Sequence, residues 1–264
     1  MPAETLEHWI DRLQAGGKYT FLRSEAVGGS GLSAEAVKKA LQRLARRGRV
    51  AKVKDYFYVV VPLEYLRAGA PPASWFIHDL MAAMRLPYYV GLLTAAGIHG
   101  AAHQQPQEFQ VVTDRPVRPL TAGRTRIRFL ASKYAERVST LDVKTPTGAM
   151  RVSTPEATAV DLVRFARAAG YLDHVAAVIA ELSPALDAKR LVAAVRRVGD
   201  VPNAQRLGFI LDRVHARHLA DAVRAWIERH EPRPAPLRSG RPAMHAREDH
   251  RWHVLVNGEL EVEA

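Results

Sequence analysis

The chain has 264 residues, 48% of them hydrophobic and 25% charged, the composition of a globular protein long enough for one large domain or two ordinary ones. Lys+Arg number 38 against 27 Asp+Glu, a net charge of +11, which makes a polyanion the first partner to consider: nucleic acid or an anionic membrane surface. The absence of cysteine excludes disulfide scaffolds, Cys-based zinc fingers, thiol catalysis and iron–sulfur clusters. No apolar run approaches the ~18–20 residues of a membrane span, and the acidic stretch Met1 to Asp11 is unlike a signal peptide, so the expectation is a cytoplasmic protein with no membrane partner.

The positive charge is local. Residues 33–54 hold eight bases (Lys38, Lys39, Arg43, Arg46, Arg47, Arg49, Lys52, Lys54) against one acid, Glu35. Residues 115–137 hold seven (Arg115, Arg118, Arg124, Arg126, Arg128, Lys133, Arg137) against Glu136 alone, which leaves the remainder slightly acidic.

In chain order, Leu6, Trp9, Ile10 and Leu13 follow the i, i+3, i+4, i+7 spacing of an amphipathic helix over Ala3 to Ala15, ended by Gly16-Gly17. Thr20 predicts a cap for a second short helix, Phe21 to Val27, which Gly28-Gly29-Ser30-Gly31 would break as a flexible turn. Ser33 caps a third helix to about Arg47, with Gly48 as its stop and Val37, Ala40, Leu41 and Leu44 as its buried stripe. Two β-prone runs follow, Arg49–Val53 and Tyr56–Val61.

Three helices and a hairpin, with the third helix basic, is the order of a winged helix-turn-helix, whose recognition helix enters the major groove while the wing lies over the backbone. The expected DNA-binding residues are Ser33, Glu35, Lys38, Lys39, Gln42, Arg43, Arg46, Arg47, Lys52 and Lys54. Gln42 can read adenine and Lys38 or Lys39 guanine, while Arg46, Arg47, Lys52 and Lys54 suit phosphates. A merely solvated helix would alternate charge signs to gain i,i+4 pairs, and this one has almost no acids.

Beyond Pro62 the linker candidate is Gly69-Ala70-Pro71-Pro72-Ala73-Ser74. Helices are expected over Ser74 to Met84 and Val90 to His99, then a strand over Phe109–Thr113. In Arg124–Leu130 the period is two, with Arg124, Arg126 and Arg128 on one face and Thr125, Ile127 and Phe129 on the other. Such a face is either a second polyanion contact or a platform for acids elsewhere in the fold. A hairpin is expected across Pro146-Thr147-Gly148, from Val138–Lys144 to Ala149–Ser153. Ser153-Thr154-Pro155-Glu156 opens a helical run over about 155–169, 171–182, 187–198, 203–214 and 217–230. Glu231 to Pro242 reads as an exposed excursion, and Trp252 to Val256 as a last strand.

The block Tyr89-Val90-Gly91-Leu92-Leu93-Thr94-Ala95-Ala96, then His99-Gly100-Ala101, Gln105-Pro106-Gln107 and the following strand, resembles the AbiEi family of antitoxins from bacterial toxin–antitoxin and phage-defence loci. Val152-Ser153-Thr154-Pro155-Glu156 with Asp161-Leu162, and Arg251-Trp252 with Asn257, are similar to that family too. Its first domain is matched by Gly31-Leu32-Ser33, Leu41, Leu44 and Tyr58, with Lys54-Asp55-Tyr56 where a glycine is expected at the wing turn. The resemblance implies a transcriptional autorepressor that binds inverted repeats of double-stranded DNA in its own promoter. It also implies a type IV antitoxin that counters, directly or indirectly, a nucleotidyltransferase-like toxin.

Chemistry-bearing constellations are weak. His99 and His103 have the i, i+4 spacing of a zinc helix but lack its glutamate and a third ligand, and His245, His250 and His253 with Glu248 and Asp249 form a loose loop cluster. Gly28–Gly31 lacks the Lys-Ser/Thr of a phosphate loop, Ser153 and Thr154 read as caps, and the acids are scattered singly. The expectation is no catalytic residue, no metal and no cofactor. The fold expected is α+β: a winged helix-turn-helix over 1–66, a linker over 67–76, and a mixed α/β C-terminal domain over 77–264, rich in helices with a small sheet. Two other readings stay open: a nucleic-acid-processing enzyme tethered by the winged helix, or a protein-interaction module that uses the arginine-faced strand.

Overall fold

The computed structural model describes residues 5–101 and 107–260 of a mixed α+β chain. The chain folds as two compact units, one of residues 1–89, 107–133 and 142–151, the other of residues 90–106, 134–141 and 152–264.

In the first unit α1 (Leu6–Ala15) starts at Thr5, whose hydroxyl accepts from the His8 N–H, and buries Leu6, Trp9 and Ile10. The expected helix over Phe21 to Val27 is corrected: Thr20–Leu22 is a strand, β1, and α2 runs Arg23–Ser30. The cause is tertiary. Phe21 sits edge-on to Trp9 at 5.3 Å between centroids and stacks on Tyr58 at 5.7 Å. That seats the three β-prone residues antiparallel to β3 (Phe57–Val60), Phe21 opposite Tyr58.

The glycines expected to break α2 lie inside it. A Cβ on Gly29 would stand 2.1 Å from the Trp9 indole nitrogen, so the helix needs glycine there to pack against α1. α2 ends only at Gly31, which is left-handed at φ 68°.

Ser33 caps α3 (Ala34–Arg46), accepting from the Ala36 N–H at 3.2 Å, and the helix buries the expected Val37, Ala40, Leu41 and Leu44. β2 (Val50–Lys54) then pairs antiparallel with β3 and closes a three-stranded sheet of order β1-β3-β2. Its turn, Asp55-Tyr56, has no residue at positive φ, so no glycine is required. The register slips between Lys52 and Lys54 instead, a bulge that turns the strand. These elements share one core built on Trp9, Ile10, Phe21, Leu41 and Tyr58.

The rest of this unit is mostly sheet, with one further α-helix. The expected helix over Ser74 to Met84 is a 3-10 turn followed by α4 (Ile77–Met84), and the one over Val90 to His99 is preceded by a strand, β4 (Tyr88–Val90). With β5 (Glu108–Thr113), β6 (Leu120–Ala122), β7 (Thr125–Ala131), β8 (Thr140–Thr145) and β9 (Gly148–Ser153) it makes a six-stranded sheet of order β6-β7-β5-β4-β9-β8. Gly123 precedes β7 at φ 55°, and a Cβ there would stand 2.1 Å from the Ala68 carbonyl oxygen.

In the second unit α5 (Leu92–Ile98) and α6 (Pro155–Arg164) pack together. α6 starts as expected, with Thr154 accepting from the Ala157 N–H and Pro155 in the first turn, and residues 156–163 are all buried, which makes it the central helix. α7 (Tyr171–Leu182), α8 (Ala188–Val198) and α9 (Val201–Arg213) pack against it, and α10 (Arg217–Ile227) packs on α8 and α9. The expected excursion over Glu231 to Pro242 is corrected: it contributes β10 (Ala235–Pro236), parallel to β12 (Val254–Val256), with β11 (Arg247–Asp249) antiparallel on the other side. Ala235 and Leu237 are buried, and Arg238 pairs with Asp173 at 2.7 Å. Trp252 is buried just before β12, its indole N–H donating to Asp212 at 2.7 Å, and lies where a Cβ on Gly208 would be 1.9 Å from the ring. No helix among the described residues is long and apolar enough to cross a membrane.

Candidate nucleic-acid interface

α3 turns one stripe into the core and the opposite one outward. Ser33, Glu35, Lys38, Lys39, Gln42, Arg43, Arg46 and Arg47 are all exposed. Lys39, Gln42, Arg43 and Arg46 recur at three- and four-residue spacing, so their side chains neighbour one another on the surface. None of Lys38, Lys39, Arg43, Arg46 or Arg47 meets a carboxylate within ion-pair distance among the described residues. Glu35 lies in the first turn, where an acid favours the helix dipole.

The other bases of residues 33–54 are placed differently. Arg49 is folded back onto α1, paired with Asp11 and bonded to Gln14 at 3.3 Å. It braces the helix cluster and is withdrawn from the exposed face. Lys52 is exposed on β2 with Asp55 2.7 Å away. That hydrogen bond and its charge raise the Lys52 ammonium above its usual range and hold the Asp55 carboxyl below its own. Lys54 is half-buried, its ammonium 5.8 Å from the centre of the Tyr56 ring.

Arg23 is the residue that the sequence pattern missed. It opens α2, is exposed, and donates its backbone N–H to the Tyr56 carbonyl at 2.9 Å, which pins it beside the hairpin turn. A lone arginine outside both basic segments carries no signal in sequence; only the β1–β3 pairing brings it there.

The arginine-faced strand has the expected alternation, with Ile127 fully buried while Arg126 and Arg128 face out at 61% and 42% exposure. Parallel pairing sets Glu108 of β5 opposite Arg126 and Gln110 opposite Arg128. The Glu108 carboxylate therefore bridges both arginines, at 3.0 Å to Arg126 and 3.3 Å to Arg128. Arg124 lies in the turn before β7, its backbone N–H donating to Ala68. Arg115 is held in two hydrogen bonds by Asp114, whose carboxyl they lower. Arg126 and Arg128 thus meet an acid of the neighbouring strand while their side chains stay part-exposed.

Of the histidines singled out in the sequence, His99 has a backbone partner. His99 Nε2 lies 2.7 Å from the Ser153 carbonyl oxygen, while His103 falls outside the described residues, as do Gln105 and Pro106. Among the described residues no group of three or more His, Cys, Asp or Glu side chains is placed to hold a metal ion. His250 and His253 face Glu248 at 3.8 and 3.4 Å, and Asp249 accepts the backbone N–H groups of Arg251 and Trp252.

Comparison with known proteins adds a family. Residues 89–213 match the model of the AbiEi antitoxin C-terminal domain. Among solved structures the chain is similar to the one described as the crystal structure of RV2827C protein from Mycobacterium tuberculosis, with a TM-score of 0.64 over 96% of this chain and 94% of that one, at 13% identity. That likeness is one of fold alone. No curated protein matches the sequence.

Proposed function

We propose that this chain, whose residues 89–213 match the AbiEi antitoxin C-terminal domain, is an antitoxin of a toxin–antitoxin system that also represses its own promoter, with residues 1–66 as a winged helix-turn-helix on inverted repeats. The family is regulatory, not catalytic. The observation that carries the DNA-binding reading is the exposed face of α3, where five cations and Gln42 stand without a carboxylate partner among the described residues. The order helix, helix, basic helix and hairpin supports it further.

In this reading α3 enters the major groove. Lys38, Lys39 and Gln42 meet base edges, Ser33 and Glu35 sit at the entering end, and Arg43, Arg46 and Arg47 contact phosphates. Lys52 and Lys54 lie over the backbone from the hairpin. Two copies on an inverted repeat occlude the polymerase. Residues 67–76 connect this module to residues 77–264, which oppose the toxin, proposed as nucleotidyltransferase-like and of a type IV system in the cytoplasm.

Fluorescence anisotropy with the chain's own upstream DNA tests the promoter role. Tight binding to that duplex, weaker by about 10³ on a scrambled one and falling steeply with salt, is expected. Equal affinity for both duplexes overturns specific autorepression. Restored growth when the chain is co-expressed with the product of the neighbouring toxin gene checks the antitoxin role independently.

A further inference from the structure

The hairpin carries an acid where a DNA-contacting tip has no evident use for one. Asp55 is the first residue of the two-residue turn, and its side chain is 87% exposed. Around it stand three bases: Lys52, with its ammonium 2.7 Å from the carboxylate, Lys54 on the same strand, and Arg23, anchored by its bond to Tyr56. The bulge between Lys52 and Lys54 shapes the strand end from which Lys52 meets the Asp55 side chain. Beside these cations the carboxyl is held below its usual range, which favours the charged form of Asp55.

The strength of this pair is the informative quantity. An exposed ion pair shifts an equilibrium by about fivefold or less, because water screens it and two flexible side chains must be ordered. A phosphate can therefore displace Asp55 from Lys52, provided the duplex is seated so that the exchange happens in place. On an operator, base contacts from α3 supply that seating. On unrelated DNA the hairpin meets phosphates with no fixed register, and an ionised carboxylate at its tip repels them.

We propose that Asp55 is a charge brake on the hairpin, occupying Lys52 until a correctly seated operator phosphate takes its place, and so lowering the affinity for non-operator DNA more than for operator. This rests on the DNA-binding reading above and adds a specificity residue to it. Asn is equally suited to a turn, so Asp55→Asn removes the charge and keeps the hairpin.

The test measures binding of the full chain to its upstream duplex and to a scrambled duplex by anisotropy, from about 50 to 200 mM salt. For Asp55→Asn, affinity for the scrambled duplex is expected to rise about three- to tenfold and its salt slope to steepen by about one, while affinity for the upstream duplex changes by about twofold or less. Adding Lys52→Ala to Asp55→Asn is expected to abolish the gain, because the freed cation is what produces it. An unchanged scrambled-duplex affinity overturns the brake, and an equal rise on both duplexes overturns its selectivity. The Lys38/Lys39/Arg43 triple alanine variant separates the two levels: if it too binds normally, the DNA-binding reading itself has failed.

Discussion

Residues 33–54 and 115–137 carry almost the same excess of positive charge, and the fold treats α3 in the first and β7 in the second in opposite ways. On α3 the bases follow helical spacing, the one acid of the helix, Glu35, pairs with none of them, and five cations face solvent without a carboxylate partner among the described residues. On β7 the spacing is also regular, yet the strand beside it supplies Glu108 in register, and one carboxylate occupies two arginines. Asp114 takes Arg115 in the same region. Net charge along a sequence is thus an upper bound on charge available to a partner. What reaches the partner is decided by the strand or turn that lies alongside.

The contrast can be broken most directly by removing cations from each region. Lys38/Lys39/Arg43→Ala is expected to weaken binding to the upstream duplex on the order of 10²-fold at physiological salt, whereas Arg124/Arg126/Arg128→Ala should cost less than about tenfold. Equal losses in an anisotropy titration place the second region in the interface as well. A smaller effect is expected from single changes. Arg46→Ala should lower affinity for every duplex several-fold and reduce the salt slope by about one, while Arg126→Ala leaves the slope unchanged.

The helix that presents the free face can be weakened without touching a cation. Ser33→Ala removes the cap and should cost about 1 kcal/mol of stability, read as a lower midpoint in urea unfolding. The smallest effect, and the sharpest for the comparison, is Glu108→Gln. Loss of this part-exposed bridge should change stability by less than ~1 kcal/mol. It also frees Arg126 and Arg128, so affinity for unrelated DNA is expected to rise a few-fold with a steeper salt slope. A flat response on both readouts means that β7 faces away from any bound duplex.

Local signals were legible in the residues themselves. Ser33 as a cap, the Val37–Leu44 stripe, Thr154-Pro155 opening α6 and the two-fold period of β7 all express one backbone geometry over a few positions, and each is found where expected. The β1 strand was not legible, since Thr20, Phe21 and Leu22 are too few to show a period and owe their conformation to Trp9 and Tyr58. Gly28-Gly29 reads as a break until Trp9 is seen packed against it. Likewise the Pro- and Arg-rich stretch over 231–242 looks solvated, yet Arg238 meets Asp173 and Leu237 is buried, both through contacts distant in sequence.

The sequence by itself determined the mixed class, the helix starts, the amphipathic faces and the concentration of charge in two short segments, because caps, periodicity and local composition act within one or two turns of chain. Only the tertiary structure decided which charges are spoken for: Arg49 by Asp11, Lys52 by Asp55, Arg126 and Arg128 by Glu108, while the α3 cations stay open. Ion pairing depends on separations of a few ångströms in space, and those follow from strand register and turn geometry, which no short stretch of residues encodes alone.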